Sequence, residues 1–305
     1  MPMSATGKLG FEALNVALKA AGEETRLRVI ALLGEAELTV SDLTDILRQS
    51  QPRISRHLRL LAEAGLVERF REGTWAFFRL AEHGGGAMVA RLLLQQLDPA
   101  DPVIARDRER LAAVRKARAA IAQAYFRAHA AEWDRIRKLH VADEKVEEVV
   151  RAALADHPFR SLLDLGTGTG RMLEMFGPQI ERGLGIDLSP AMLHLARDRL
   201  ERAGLRNCSV RQGDIYDLPL QNDSFDLVIL HQVLHFLDDG GRAIQEAARV
   251  LRPEGRLLVI DFAPHEEEFL REQFAHRRLG FAAEAVTQWM SGSGLEPVMH
   301  ESLAP

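Results

Sequence analysis

The sequence predicts an α/β chain of two domains: a small helical domain ending in a β-hairpin, then a helical linker to a mostly parallel sheet with helices on both faces. Three observations predict it. The 305 residues are 47% hydrophobic, enough for two ordinary cores and too apolar for a disordered chain. Ahead of Gly65 the apolar residues recur at helical spacing. After Pro158 they fall into short runs, Leu162 to Leu165, Leu184 to Ile186, Val210, Leu227 to Leu230 and Leu257 to Ile260, with helical segments between them. That alternation builds a parallel sheet covered on both sides.

The elements follow in order. Phe11, Leu14 and Leu18 stripe a first helix, Leu27, Ile30 and Ala31 a second, Leu43, Ile46 and Leu47 a third, and Ile54, Leu58 and Leu61 a fourth. Thr39, three residues before Asp42, has the spacing of a capping box at the start of the third. Pro52 suits the first turn of the fourth, where its missing N–H is an orphan anyway, and Gly65 ends it. Leu66 to Arg71 and Trp75 to Leu80 alternate as two strands about the turn at Glu72 and Gly73. A further helix, entered through Gly84, Gly85 and Gly86, closes at Asp98 to Pro102, which marks the boundary of a first domain at 1–100. Residues 101–145 are a helical linker and lid, since Val103 to Val141 is rich in Ala and Arg and lacks Pro and Gly; such a linker transmits geometry. The sheet domain occupies 146–305. Leu295 to His300 is expected to be the first strand of a closing antiparallel hairpin whose second strand the sequence does not reach: either the sequence stops short of it, or the sheet has an unusual edge, which would invite association.

The net charge of −5 conceals an uneven distribution. It divides into 0 over residues 1–100, +3 over 101–160 and −8 over 161–305. Within the neutral first block Arg48, Arg53, Arg56, Arg59, Arg69, Arg71 and Arg79 stand against Glu63, Glu68 and Glu72, a basic face. The single Cys208 excludes a disulfide framework and every multi-thiolate zinc site. It also suits a reducing cytoplasm. No apolar run approaches the length of a membrane span, and the N-terminus lacks a signal pattern, so the expectation is a soluble cytoplasmic protein.

Ser41 to Leu61 reads as helix, short turn, helix, with Gln49, Ser50 and Gln51 in the turn. At 100° per residue, Ile54, Leu58 and Leu61 share one face of the second helix, Arg56 and Arg59 lie opposite, and Arg53 and Ser55 flank them. Such a helix can lie in the major groove of double-stranded DNA, where Arg bonds bidentately to guanine or to phosphate. Candidate DNA-binding residues are Gln51, Arg53, Ser55, Arg56 and Arg59, with Arg69, Arg71 and Arg79 of the hairpin reaching flanking backbone. The segments SQPRISRHLRLLAEAGLV and ERFREGTWAFFRL resemble the winged helix-turn-helix of the ArsR-type bacterial repressors over residues 8 to 97. The resemblance implies a homodimer, made through the first helix and the helix after the wing, that presents two recognition helices to a palindromic operator. Many members sense thiophilic metals through Cys-Val-Cys in the third helix. Here Thr39 and Ser41 stand at those positions, and hydroxyls are poor ligands for soft metals. His57, His83, His129 and His140 form no short-spaced ligand set, so no metal is expected.

The apolar run Leu162 to Leu165 passes into Gly166-Thr167-Gly168-Thr169-Gly170, a turn whose glycines permit positive φ and let a ligand approach the backbone. Their alternate spacing is not the dinucleotide pattern, and no Gly-Lys-Ser/Thr follows for a triphosphate. Asp187 ends the next strand, where an acid bonds ribose hydroxyls in nucleotide-binding α/β folds. After the third strand Asp214 offers a carboxylate to an adenine amino group, beside Ile215 for the ring. With FDLVILHQVLHFL and RVLRPEGRLLVIDF, these segments resemble the Rossmann-like class I S-adenosylmethionine-dependent methyltransferases over residues 122 to 300, in the small-molecule branch that includes quinone-biosynthesis enzymes. The resemblance implies that Gly166, Thr167, Gly168 and Gly170 pass under the methionine part and that Asp164 orients its amino end. It places Asp187 and Leu188 at the ribose, Asp214 and Ile215 at the adenine, and the backbone near His231 at the pocket's closure. Tyr125-Phe126 to Trp133-Asp134 looks like a helical lid.

The methyl acceptor is less legible. His231 to His235 has neither the Asn/Asp-Pro-Pro-Tyr of amino-methylating DNA enzymes nor the Pro-Cys of cytosine-5 enzymes, and one cysteine cannot serve arsenic methylation. His231 and His235 are the candidates for a general base or, equally, for pocket walls. His265 and His276, near Glu266 to Glu268, read as a solvated helix face. The resemblances together imply a cytoplasmic, dimeric DNA-binding regulator that binds S-adenosylmethionine or S-adenosylhomocysteine and couples methyl metabolism to transcription. The alternative is an active small-molecule methyltransferase with an autoregulatory DNA-binding domain.

Overall fold

A computed structural model describes residues 9–133 and 143–303; the expected lid residue Asp134 and His140 fall outside them. The chain forms two compact units, one through Ala119 and one from Ala120. Among the described residues no helix is long and apolar enough to cross a membrane.

The first unit runs α1 (Phe11–Ala21), α2 (Glu24–Leu33), β1 (Leu38–Thr39), α3 (Val40–Leu47), α4 (Gln51–Glu63), β2 (Val67–Glu72), β3 (Trp75–Leu80), α5 (Gly84–Gln96) and the first part of α6 (Pro102–His129). Its core gathers Val29 and Ile30 of α2, Leu43 and Ile46 of α3, and Ile54, Leu58 and Leu61 of α4. Burying each Leu or Ile stabilises the unit by about 2 kcal/mol. The capping box at α3 is complete: Thr39 Oγ1 accepts from the Asp42 N–H at 3.2 Å and Asp42 Oδ2 from the Thr39 N–H at 2.8 Å. The two-residue β1, which has no periodicity to reveal it, pairs with β3 and makes the hairpin a three-stranded sheet in the order β1-β3-β2. Gly86 of α5 lies so near the chain at Gly65 that a Cβ would stand 2.1 Å from the Gly65 carbonyl oxygen, which explains a glycine inside a helix. Buried Asp107 of α6 receives both Nε and Nη2 of Arg28 at 2.7 and 2.8 Å, fastening α6 to α2. Arg118 pairs with Asp42 at the cap of α3.

The apolar stripe read on α1 is not its buried side. Ala17 and Ala21 enter the core, while Phe11 is 87% exposed and Leu14 and Leu18 are also open to solvent.

The second unit begins with the last turns of α6 and holds α7 (Asp143–Leu154), β4 (Ser161–Leu165), α8 (Arg171–Phe176), β5 (Arg182–Asp187), α9 (Pro190–Arg202), β6 (Cys208–Gln212), β7 (Phe225–His231), α10 (Gly240–Val250), β8 (Leu251–Ile260), α11 (Phe269–Phe274) and α12 (Ala283–Gly292). Its sheet is wholly parallel, in the order β6-β5-β4-β7-β8. Alternate residues supply the two layers. Leu163, Leu165, Val228 and Leu230 pack with Ala243, Ile244 and Ala247 of α10. Leu162, Leu227 and Ile229 pack with Val146 of α7, Leu173 of α8 and Leu193 of α9. Strand order reverses beside β4, so a crevice opens at the carboxyl ends of β4 and β7, where such folds bind ligands.

Two expectations fail here. Leu295 to His300 is not a strand: Pro297 has no N–H for a ladder, and Val298 is 76% exposed. His276 is not on a solvated face but buried beneath the turn that follows β7.

Candidate functional site

In the first unit the turn between α3 and α4 is held at both ends. Arg48 adopts the left-handed conformation at φ 52°, and Gln49 Nε2 donates to Thr25 Oγ1 of α2 at 3.0 Å. With Ile54, Leu58 and Leu61 buried, the other side of α4 presents Gln51, Arg53, Ser55, Arg56 and Arg59 to solvent. Arg69 and Arg71 of β2 are exposed as well. Among the described residues Arg53, Arg56, Arg69 and Arg71 make no ion pair, and Arg59 has only an exposed contact with Glu63 at 3.9 Å, so these cations are available to phosphate. Arg79 differs: Glu82 takes it at 2.7 Å, with Glu68 and Glu37 nearby, and it braces the wing rather than reaching outward. His57 is tucked against α2 with Nδ1 3.5 Å from Glu23; burial pushes its imidazole pKa down, against the pull of that carboxylate.

In the second unit the expected cofactor residues meet at the carboxyl ends of the strands. Gly166, Gly168 and Gly170 all have positive φ, at 70°, 52° and 81°, so the turn favours glycine on backbone grounds. The amides of Gly166 and Thr167 donate to Ile186 O at 2.8 and 3.0 Å, which ties the turn to β5. Buried Asp164 accepts from Thr167 Oγ1 at 2.6 Å. A Cβ on Gly168 would find Trp133 Nε1 at 3.6 Å and little else, so this face of the turn is bare backbone under an indole. Asp187 Oδ2 accepts from the Gly168 N–H at 2.9 Å and Oδ1 from the Ser189 N–H at 2.8 Å. Burial raises the Asp187 carboxyl above its ordinary value, and the Ser189, Gly168 and Leu188 amides draw it back. Leu188 follows at the strand end, Asp214 is exposed after β6, and Ile215 is buried beneath it. A glycine turn with bare backbone at Gly168, the Asp187 and Asp214 carboxylates and the buried Ile215 are polar and apolar surfaces of the kind an S-adenosylmethionine site uses, and the residues present fit it.

The turn after β7 separates the two histidines. His231 ends the strand half-buried. His235 lies in a short 3-10 turn, 2% exposed, with Nδ1 2.7 Å from Asp261 Oδ1. Its ring lies 4.0 Å from that of Phe236 and 4.1 Å from that of His276. Phe236 in turn meets Phe126 at 4.8 Å, and Phe126 meets Trp133 edge-on at 5.2 Å, so the last turns of α6 wall this side of the crevice.

Residues 23–69 match the family described as bacterial regulatory protein, arsR family, and residues 163–259 match the family described as methyltransferase domain. The chain joins an ArsR-family DNA-binding domain to a class I methyltransferase domain. The ArsR-family domain is 50% identical over 66 residues to the arsenical resistance operon repressor of Escherichia coli strain K12, an overlap of 21% of this chain and 56% of the repressor. The methyltransferase domain is 30% identical over 146 residues to the uncharacterized methyltransferase YcgJ of Bacillus subtilis strain 168, covering 48% of this chain and 57% of that protein. The crystal structure of the Bacillus YcgJ protein aligns with a TM-score of 0.43 at 25% identity, over 48% of this chain and 66% of that one. The chain spans about half the length of the curated relatives it matches.

Two features of the methyltransferase domain escaped the sequence reading. Asp261 stands one residue beyond β8, close to the carboxyl end of its strand as Asp187 is the last residue of β5, and that placement was the available signal. His276 has none, because only the chain's return across the turn after β7 brings it to His235.

Proposed function

We propose that this chain is a dimeric, cytoplasmic transcription regulator whose methyltransferase domain binds S-adenosylmethionine or S-adenosylhomocysteine and couples methyl-group metabolism to operator binding. The observation that carries the reading is the presence in one chain of a solvent-facing arginine face on α4 and a positive-φ glycine turn answered by Asp187. Gln51, Arg53, Ser55, Arg56 and Arg59 read or position the major groove, and Arg69 and Arg71 of the wing hold flanking phosphates. Exposed Phe11, Leu14 and Leu18 of α1, with Leu92 of α5, supply the apolar face of a homodimer. Gly166, Thr167, Gly168 and Gly170 carry the methionine part and Asp164 steadies the turn. Asp187 and Leu188 take the ribose, Asp214 and Ile215 the adenine, and the backbone at His231 closes the pocket.

Coupling requires the cofactor to bind the DNA-competent state with different affinity, and one to three kcal/mol, roughly five- to 150-fold, is the ordinary range. Calorimetric titration with each cofactor, with and without double-stranded DNA from upstream of the chain's own gene, tests this. A change in cofactor affinity within that range is expected; equal affinities sink the coupling.

A second reading, methyl transfer to a small acceptor, is favoured by the His235–Asp261 pair. S-adenosylmethionine supplies an electrophilic methyl group on a sulfonium sulfur. His235 takes the acceptor's proton, and His231 lines the same crevice. Release of S-adenosylhomocysteine over a panel of phenols, thiols and amines checks it, and silence across the panel argues for the sensor alone.

A further inference from the structure

We propose that Asp261 is the positioning residue that makes His235 a directed proton acceptor, an inference that rests on the methyl-transfer reading above. The carboxylate is held from two sides. Oδ2 accepts the Leu234 N–H at 2.9 Å, from the turn that carries His235, and Oδ1 accepts the Phe262 N–H at 2.8 Å, from the chain leaving β8. Rotation away from the imidazole breaks both bonds, so the third contact, Oδ1 to His235 Nδ1 at 2.7 Å, has a fixed direction. An oxygen that already receives a backbone amide presents only lone pairs. Nδ1 therefore carries the ring hydrogen, and the lone pair of the neutral imidazole lies on Nε2.

The environment gives the arrangement its chemical value. His235 is 2% exposed and the Asp261 side chain 6%, so water screens the pair weakly. The titratable and charged neighbours are His276, whose ring is 4.1 Å away, and Arg277, whose guanidinium Asp238 holds at 3.1 Å. The amides of Arg277 and Arg278 both donate to the His235 carbonyl at 2.9 Å, which fixes the backbone beneath the ring. In the reaction the acceptor's lone pair forms the bond to the methyl carbon and the carbon–sulfur pair stays with sulfur. The acceptor's proton passes to Nε2. The imidazolium then stands beside the Asp261 carboxylate, which keeps its own charge and takes no proton.

The test needs no acceptor. The full chain is labelled with [15N]histidine, His235 is assigned by its loss in His235→Gln, and its tautomer is read from two-bond proton–nitrogen correlations. The wild type is expected to show Nδ1–H with unprotonated Nε2, and Asp261→Ala to reverse that ratio. A wild-type ring protonated on Nε2, or an Asp261→Ala ring that keeps Nδ1–H, overturns the inference; if Asp261→Ala does not fold, the wild-type tautomer alone decides. S-adenosylhomocysteine affinity of the same wild-type sample separates the two ideas. Binding with an Nε2–H ring sinks the positioning role and leaves cofactor binding standing, whereas no binding at all sinks the reading on which it rests.

Discussion

At Asp187 two demands meet on one side chain. It caps the glycine turn by accepting the Gly168 and Ser189 amides, and in the proposed site it must also accept two ribose hydroxyls. Hydrogen bonds to a charged acceptor contribute about 1.5–3 kcal/mol each. Asp187→Asn, which keeps the shape and removes the charge, should weaken S-adenosylhomocysteine binding at least roughly tenfold by calorimetry. Because burial raises this carboxyl, the free protein protonates it at a higher pH than an ordinary aspartate. The ligand prefers the ionised form, so affinity is full above that raised pKa and falls as pH drops through it, earlier in an acid titration than for a solvated carboxylate. Arg56 states the opposite case, an exposed cation with no ion pair among the described residues. Arg56→Ala should leave the melting temperature unchanged while reducing the salt slope of operator binding by about one per protomer, about two for the proposed dimer. An unchanged slope would remove Arg56 from the phosphate contacts.

At the scale of elements, the parallel sheet is stapled at its amino-terminal edge, away from the site. Asp226 of β7 accepts from the Arg160 and Ser161 amides at 2.9 and 2.8 Å and from the Ser161 hydroxyl at 2.8 Å, and its other oxygen takes Arg252 of β8 at 2.7 Å. Partial burial pushes this carboxyl up, but the Arg252 bond and the three β4-side donors outweigh it and hold the pKa at about 2. A depressed folded pKa contributes stability that is complete above the unfolded value and is lost as pH falls through the folded one, here between about 4 and about 2. Asp226→Asn should therefore cost about 1–2 kcal/mol at neutral pH and nearly nothing at the acid end, measured by urea unfolding across pH. A pH-independent cost would mean that packing, not charge, is what Asp226 supplies. Among helices, α4 divides its labour by face: Ile54, Leu58 and Leu61 are anchored in the core so that its arginines keep a fixed direction.

For the whole molecule, the proposed operator binding depends on a surface that a single chain leaves open. Phe11 at 87% exposure, with Leu14 and Leu18, is an apolar face on α1 that the proposed homodimer covers. A two-fold dimer sets two α4 helices one DNA turn apart, about 34 Å, and so ties operator affinity to assembly. The double replacement Phe11→Glu and Leu18→Glu should shift sedimentation from dimer to monomer and abolish tight operator binding, while S-adenosylhomocysteine binding persists. A dimer that survives the change would place the interface elsewhere.

Much of this was legible in the sequence because local rules fix it. Thr39 and Asp42 cap a helix by spacing, glycines at 166, 168 and 170 mark a positive-φ turn that favours glycine, and β4, β5 and β7 announce themselves as buried apolar runs. The strand ends then place Asp187 and Asp214, since parallel strands bring their carboxyl ends to one edge. What sequence periodicity cannot specify is which of several apolar stripes is buried within the chain. The apolar stripe on α1 marks the helix but faces solvent, and the alanines beside it enter the core. Nor can it specify partners distant in sequence. Arg79 belongs to three glutamates, Asp226 to β4 and β8, and His235 to Asp261 and His276, each by proximity that only the packed chain creates. The sequence by itself determined the longer elements, the two domains' families and the residue types at the cofactor turn, all short-range or strictly patterned. The tertiary structure decided the direction of the His235 ring and the loss of the expected last strand, because both depend on what long-range packing places beside them.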